Sequence, residues 1–181
     1  MEVLNIISAI GFLAMSVYIV CFLLKFRLIP QSLSITAEYS GRYTWWKITI
    51  CTVMGWLSFW FPTVYPFAEY SYWAIMPSIG VLGLALAGYY SYHPGDETLL
   101  ELAVHKTGSF IGSACVCLFY IIVLEQDFVW IILGVGLVLG LLIRGKRLDF
   151  PDSNSVLFWE EIGIIFIIQY DVVSRILPLL E

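Results

Sequence analysis

Glu97, Glu101 and His105 recur every four residues, so on a helix the two carboxylates and the imidazole form one stripe. A carboxylate one turn before a histidine orients the ring, holds a metal ion or tunes a proton relay; the same stripe also serves as a solvated helix face. The chain has two histidines, so a zinc site would lean on carboxylates, and Glu97, Glu101 and His105 are the ligand candidates for any metal. Near the C-terminus, Glu160, Ile164, Ile167 and Asp171 follow i, i+4, i+7, i+11. That pattern puts both carboxylates on one helical face about 16 Å apart, too far to share a proton or an ion. Glu160 and Glu161 favour a helix N-terminus, or Glu160 acts as a cation or proton group facing a bundle interior. Asp171 precedes Arg175 by one turn, the spacing of an i, i+4 ion pair near a membrane interface. Between residues 30 and 43, hydroxyls cluster around Glu38 and Arg42. A short interfacial helix capped by Ser34 would pair these two, and Arg42 with the hydroxyls would suit an anionic headgroup or substrate; a plain connector is the alternative. No GxSxG elbow, HExxH, P-loop or GxGxxG fingerprint occurs, so no motif supports hydrolysis or nucleotide binding and any cofactor stays open.

The elements that must position these groups follow from composition. The 181 residues are 60% hydrophobic and 13% charged, with a mean hydropathy of +0.88. A soluble globular chain carries about 25% charged residues. This chain has too few charges to coat a water-soluble surface, which argues against a soluble enzyme or a disordered tail and for an all-α, polytopic transmembrane bundle. A net charge of -5 removes the attraction that nucleic acid would need. Cys21, Cys51, Cys115 and Cys117 lie in apolar runs without CxxC spacing, as small buried hydrophobes.

Apolar runs long enough to cross a bilayer, about 17 to 25 residues each, give six spans in a single domain of residues 1–181: about 4–24, 48–65, 73–92, 107–124, 128–143 and 156–177. The first has Glu2 where a secretory signal has basic residues, so it reads as a retained span. Lys25, Arg27, Arg42 and Lys47 fall between spans one and two, and Arg144, Lys146 and Arg147 between spans five and six. Four spans separate these two basic loops, so both lie on the cytoplasmic side, with the N- and C-termini outside. A new helix capped by Asp96 runs from the Pro94-Gly95 break into span four. Trp45, Trp46, Trp73, Tyr89, Tyr90 and Trp130 mark aromatic belts. Gly83-x-x-x-Ala87, Gly108-x-x-x-Gly112 and Gly136-x-x-x-Gly140 are close-packing faces, serving the bundle itself or a homo-oligomer.

The Pro30-Gln31-Ser32-Leu33-Ser34 element, followed by Tyr39 and a tryptophan-rich second span, and Glu101 with Val104-His105 resemble a loose group of uncharacterised multi-span proteins of gut-type bacteria and their phages. The likeness covers about residues 1–145 and leaves out the last span. It implies a helical inner-membrane protein without an assigned activity, and draws attention to Ser32, Ser34, Glu38 and His105. The leading expectation is an oligomeric translocation pathway or pore in a bacterial inner membrane, with Glu101, His105 and Glu160 at its cytoplasmic mouth. The alternatives are an intramembrane metal-dependent enzyme acting on lipid and a non-catalytic membrane assembly subunit. The expected partners are the lipid bilayer and further copies of the chain or other membrane helices.

Overall fold

In the computed structural model the described residues are 2–27, 30, 33–41, 43–90, 98–126, 129–130 and 156–179, with the side chains of Glu38 and Glu160 among those not described. Arg42, Glu97, Gly136, Gly140 and nearly all of the fifth span lie outside the described residues. The regular elements are helical throughout: α1 (Glu2–Phe26), α2 (Ile35–Ser40), α3 (Tyr43–Val64), α4 (Phe67–Tyr70), α5 (Ile75–Tyr89), α6 (Leu99–Leu118) and α7 (Val156–Ser174). Three helical stretches, Glu2–Phe26, Phe67–Tyr89 and Leu99–Val123, are long and apolar enough to cross a membrane. The tryptophan-rich α3 and the acid-bearing α7 pack among them.

α1 shows the polarity of the bundle. Asn5, Ser8, Phe12, Met15, Ile19 and Phe22 are buried, alternating three and four residues apart, the seam of a helix wound against its neighbours. Ile10, Leu13, Val17, Val20 and Leu24 are exposed. The polar groups face inward and the aliphatic ones outward, the reverse of a helix in water.

α3, α5 and α6 form the most closely packed part, and glycine makes it possible. A Cβ at Gly83 would lie 2.9 Å from the Gly108 carbonyl oxygen, one at Gly108 would lie 2.7 Å from the Gly83 oxygen, and one at Gly112 would lie 2.7 Å from the Gly80 oxygen. Of the two roles open to the α5 and α6 small-residue faces, packing within the bundle is the one seen, since they lie on each other within the chain. On the other side of α5, a Cβ at Gly88 would lie 2.6 Å from Ile50 of α3.

Irregularities in the helices are compensated locally. Pro62 inside α3 has no N–H to donate to the Ser58 carbonyl one turn back. The Ser78 hydroxyl of α5 donates to that carbonyl instead, at 3.1 Å. α6 begins later than expected: its N-cap is Thr98, not Asp96, because Thr98 and Glu101 close a capping box in which each side chain takes the other's backbone N–H. At its far end the helix widens into a π-turn, Phe119–Val123. α2 stops before Arg42 because Gly41, at φ 63°, takes the left-handed conformation that ends a helix. The expected pairing of Glu38 with Arg42 lies outside the described residues. Two further expectations change: Cys21 is exposed, and Trp46 turns inward to become buried while Trp45 stays out.

The α5 and α6 contact should be intolerant of side chains. Gly112→Val is expected to lower stability by about 1 to 3 kcal/mol through overpacking. Gly55→Ala, where a Cβ meets nothing within 4 Å, should be neutral or stabilising by about 0.5 to 1 kcal/mol. Thermal unfolding of both variants in detergent is the check, and equal behaviour would contradict the packing described.

Candidate functional site

Two polar layers lie at opposite ends of the bundle, and α7 contributes a carboxylate to each. The first sits at the end carrying Lys25, Lys47 and Lys106. His105 occupies the buried face of α6 with Gly112 and Val116, so the stripe that packs on α5 brings the imidazole inside. His105 is 8% exposed and its Nδ1 lies 2.7 Å from the Ala87 carbonyl oxygen of α5. A carbonyl only accepts, so Nδ1 is the donor; in the singly protonated ring this leaves Nε2 as the lone pair. The turn before α2 is tucked under α1 and α3: Leu33, Ser34, Thr36 and Ala37 are buried. Thr36 is within 3.0 Å of the Tyr18 hydroxyl, and the Leu33 N–H donates to Glu161 Oε2 at 2.5 Å.

These elements enclose a cavity of about 50 Å³ lined by Ser34, Trp46, His105, Ser109 and Glu161 together with apolar side chains. Trp46 is 6% exposed, and its Nε1 is the one buried side-chain polar atom among the described residues without a hydrogen-bond partner.

The second layer sits at the end carrying Glu2, Glu69 and Glu125. Asp171, 8% exposed, accepts from the Tyr65 hydroxyl at 2.5 Å and the Tyr120 hydroxyl at 2.6 Å, both on Oδ2. Its Oδ1 is 3.0 Å from Arg175 Nε, the i, i+4 pair that the spacing implies. The Arg175 guanidinium lies 4.8 Å from the centre of the Tyr65 ring and 5.9 Å from that of Trp60. Trp60 in turn donates to Asn5 Oδ1 of α1 at 2.8 Å. The end of α3, the end of α6 and α7 thus converge on one carboxylate with both oxygens hydrogen-bonded, and α1 joins the layer through Asn5 and Trp60.

Between the layers, Ile164, Ile165, Ile167 and Ile168 of α7 are buried, with a link from Ser16 to Gln169 at 3.2 Å on the way to Asp171. Ile164 and Ile167 therefore do share the inward face with Asp171. The structure brings His105 together with Glu161 and Ser34, and turns the Glu101 carboxylate back onto Thr98, with Oε2 2.9 Å from the Thr98 amide nitrogen. Among the described residues no three His, Cys, Asp or Glu side chains gather to hold a metal ion, and Glu97, one of the three ligand candidates, lies outside them.

Sequence reasoning missed Trp46, Tyr65, Tyr120 and Asn5 as parts of these layers. Asn5 was open to discovery, as an amide in an otherwise apolar helix. Tyr120 was open too, since it follows Gly112 and Val116 in four-residue steps along one helical face. No family model, curated protein or solved structure matches this chain.

Tyr65→Phe and Tyr120→Phe should each cost about 1 to 3 kcal/mol, since each leaves a buried carboxylate one donor short. Because both hydroxyls meet the same oxygen, the double variant should depart from additivity by at least about 0.5 kcal/mol. A double-mutant cycle of unfolding free energies measures this; strict additivity would mean that the two tyrosines do not share Asp171.

Proposed function

We propose that this chain is a polytopic membrane protein of about six spans, with both termini outside a bacterial cytoplasmic membrane, and that it passes a small ion through its own helical bundle. The observation that carries the reading is the pair of acid-bearing layers along α7, with half-buried Glu161 at one end and buried Asp171 at the other, in a bundle whose outer surface is apolar. Ionisable groups at membrane depth are costly and are kept for pathways and relays. The end with His105 and Glu161 also carries Lys25, Arg27, Lys47 and Lys106, which makes it the cytoplasmic end by the positive-inside bias. In this reading His105 and Glu161 stand at the cytoplasmic mouth.

Size limits the cargo. A cavity of about 50 Å³ admits a few water molecules or one small ion and no organic solute. The isoleucine layer of α7 closes the way between the two polar ends, so passage requires α7 to shift against α3 and α6. With the Gly83 and Gly108/Gly112 faces spent inside the chain, self-association is assigned to Gly136 and Gly140.

Purified protein in liposomes should carry ion flux above empty vesicles between pH 5 and 8. His105→Ala and Glu161→Gln should each reduce it by about 10²-fold, the scale of a lost proton-transfer group. Wild-type flux at the level of empty vesicles would sink the proposal, and unchanged flux in both variants would remove this cavity from the pathway.

A further inference from the structure

The donors and acceptors around the cytoplasmic cavity narrow the identity of the ion. Building on the small-ion pathway proposed above, we propose that this cavity holds a short file of buried water and that the species it passes is the proton, not a metal cation or ammonium.

The argument starts from Trp46. Its buried Nε1 has no partner among the described residues, and an indole N–H can only donate. Whatever completes it must offer a lone pair. Water does; a metal cation and ammonium do not. A water that accepts from Trp46 still has two protons to give, and the same cavity supplies the acceptors: Nε2 of His105, left as a lone pair by the bond from Nδ1 to Ala87, and the carboxylate of Glu161. The volume of about 50 Å³ suits roughly three or four waters at about 10 to 15 Å³ each. A dehydrated alkali or divalent ion is a poor fit, because hard cations take several oxygen ligands around them. Here much of the wall is hydrocarbon, from Leu33, Ile50, Met54, Leu84 and Ile165.

The relay balances. An excess proton on water passes to Nε2, where an O–H bond breaks and an N–H bond forms, leaving water and an imidazolium. The same Nε2–H then passes its proton through water to the Glu161 carboxylate, giving the neutral ring and a carboxylic acid that releases the proton to the next water. Nδ1 keeps its hydrogen on the Ala87 carbonyl throughout, so the ring returns to one tautomer after each transfer. The groups that face His105 across the cavity are Glu161 from α7, Ser34 from the turn before α2 and Trp46 from α3, with Ser109 on its own helix. α5 adds Leu84, Ala87 and Gly88, none of them ionisable.

Two measurements on the full chain in lipid test this. The chain has two histidines, so His93→Gln leaves a single imidazole for 15N-histidine solid-state NMR. Water-edited spectra should show early transfer of water magnetisation to the His105 ring and a protonated Nδ1. A ring that receives none even at long mixing times would mean a dry cavity and overturn the proposal. In proteoliposomes, pyranine-reported proton flux without sodium, potassium or ammonium flux supports it. Metal-cation or ammonium flux without proton flux overturns it while leaving the small-ion pathway standing. No flux of any ion overturns that pathway and the proton assignment together, whatever the hydration of His105.

Discussion

The arrangement rests on the approach of α5 to α6 at backbone distance. Where Gly80 and Gly83 meet Gly108 and Gly112, there is no room for a Cβ. In a hydrocarbon surrounding, no hydrophobic force presses helices together, so close packing and the hydrogen bonds it permits must supply the association. That closeness lets the His105 ring, one turn before Gly108 and Ser109, reach the Ala87 carbonyl. Gly88 continues the same logic toward α3, bringing Ile50 and Trp46 to the wall of the cavity. Larger residues at these glycines would separate the helices and leave the histidine without its acceptor.

A second constraint is that every polar group inside such a bundle must find its partner there. The molecule meets this case by case. Ser78 takes up the carbonyl that Pro62 leaves unpaired, Asn5 accepts from Trp60, and Asp171 is met by two tyrosines and an arginine. The far end of α6 belongs to the same pattern, since Phe119 and Tyr120 continue the buried stripe of Gly112 and Val116 into the layer around Tyr65 and Asp171. Among the described residues Trp46 is the exception, and it stands beside His105 and Glu161 at the cavity.

α7 connects the two ends. It carries Glu161 beside the cavity, a run of buried isoleucines, Gln169 bonded to Ser16, and then Asp171 in the opposite layer. A helix with an acid near each end and a dry middle is suited to holding two polar compartments apart while remaining mechanically continuous between them. Motion of this one helix would alter both layers at once, because Glu161 and Asp171 are joined by the same rigid backbone.

Local pattern determined much of this protein. Composition sets the helical, apolar character; the four-residue spacing of small side chains marks the faces of α5 and α6; and the spacing of Asp171 and Arg175 sets their ion pair, because these features depend only on residue type and the helical repeat. The inward face shared by Ile164, Ile167 and Asp171 follows from the same repeat. Tertiary structure alone decided the rest. Whether the glycine faces meet each other or a second copy is a matter of which helix lies alongside, which periodicity does not encode. That His105 meets the Ala87 carbonyl, that Glu161 meets the Leu33 amide, and that Tyr65 and Tyr120 converge on one carboxylate oxygen are contacts between residues far apart in the chain. They arise from the depth and rotation at which helices pack, quantities set by side-chain volume at the interfaces and by local departures such as the π-turn, and therefore by the assembled bundle as a whole.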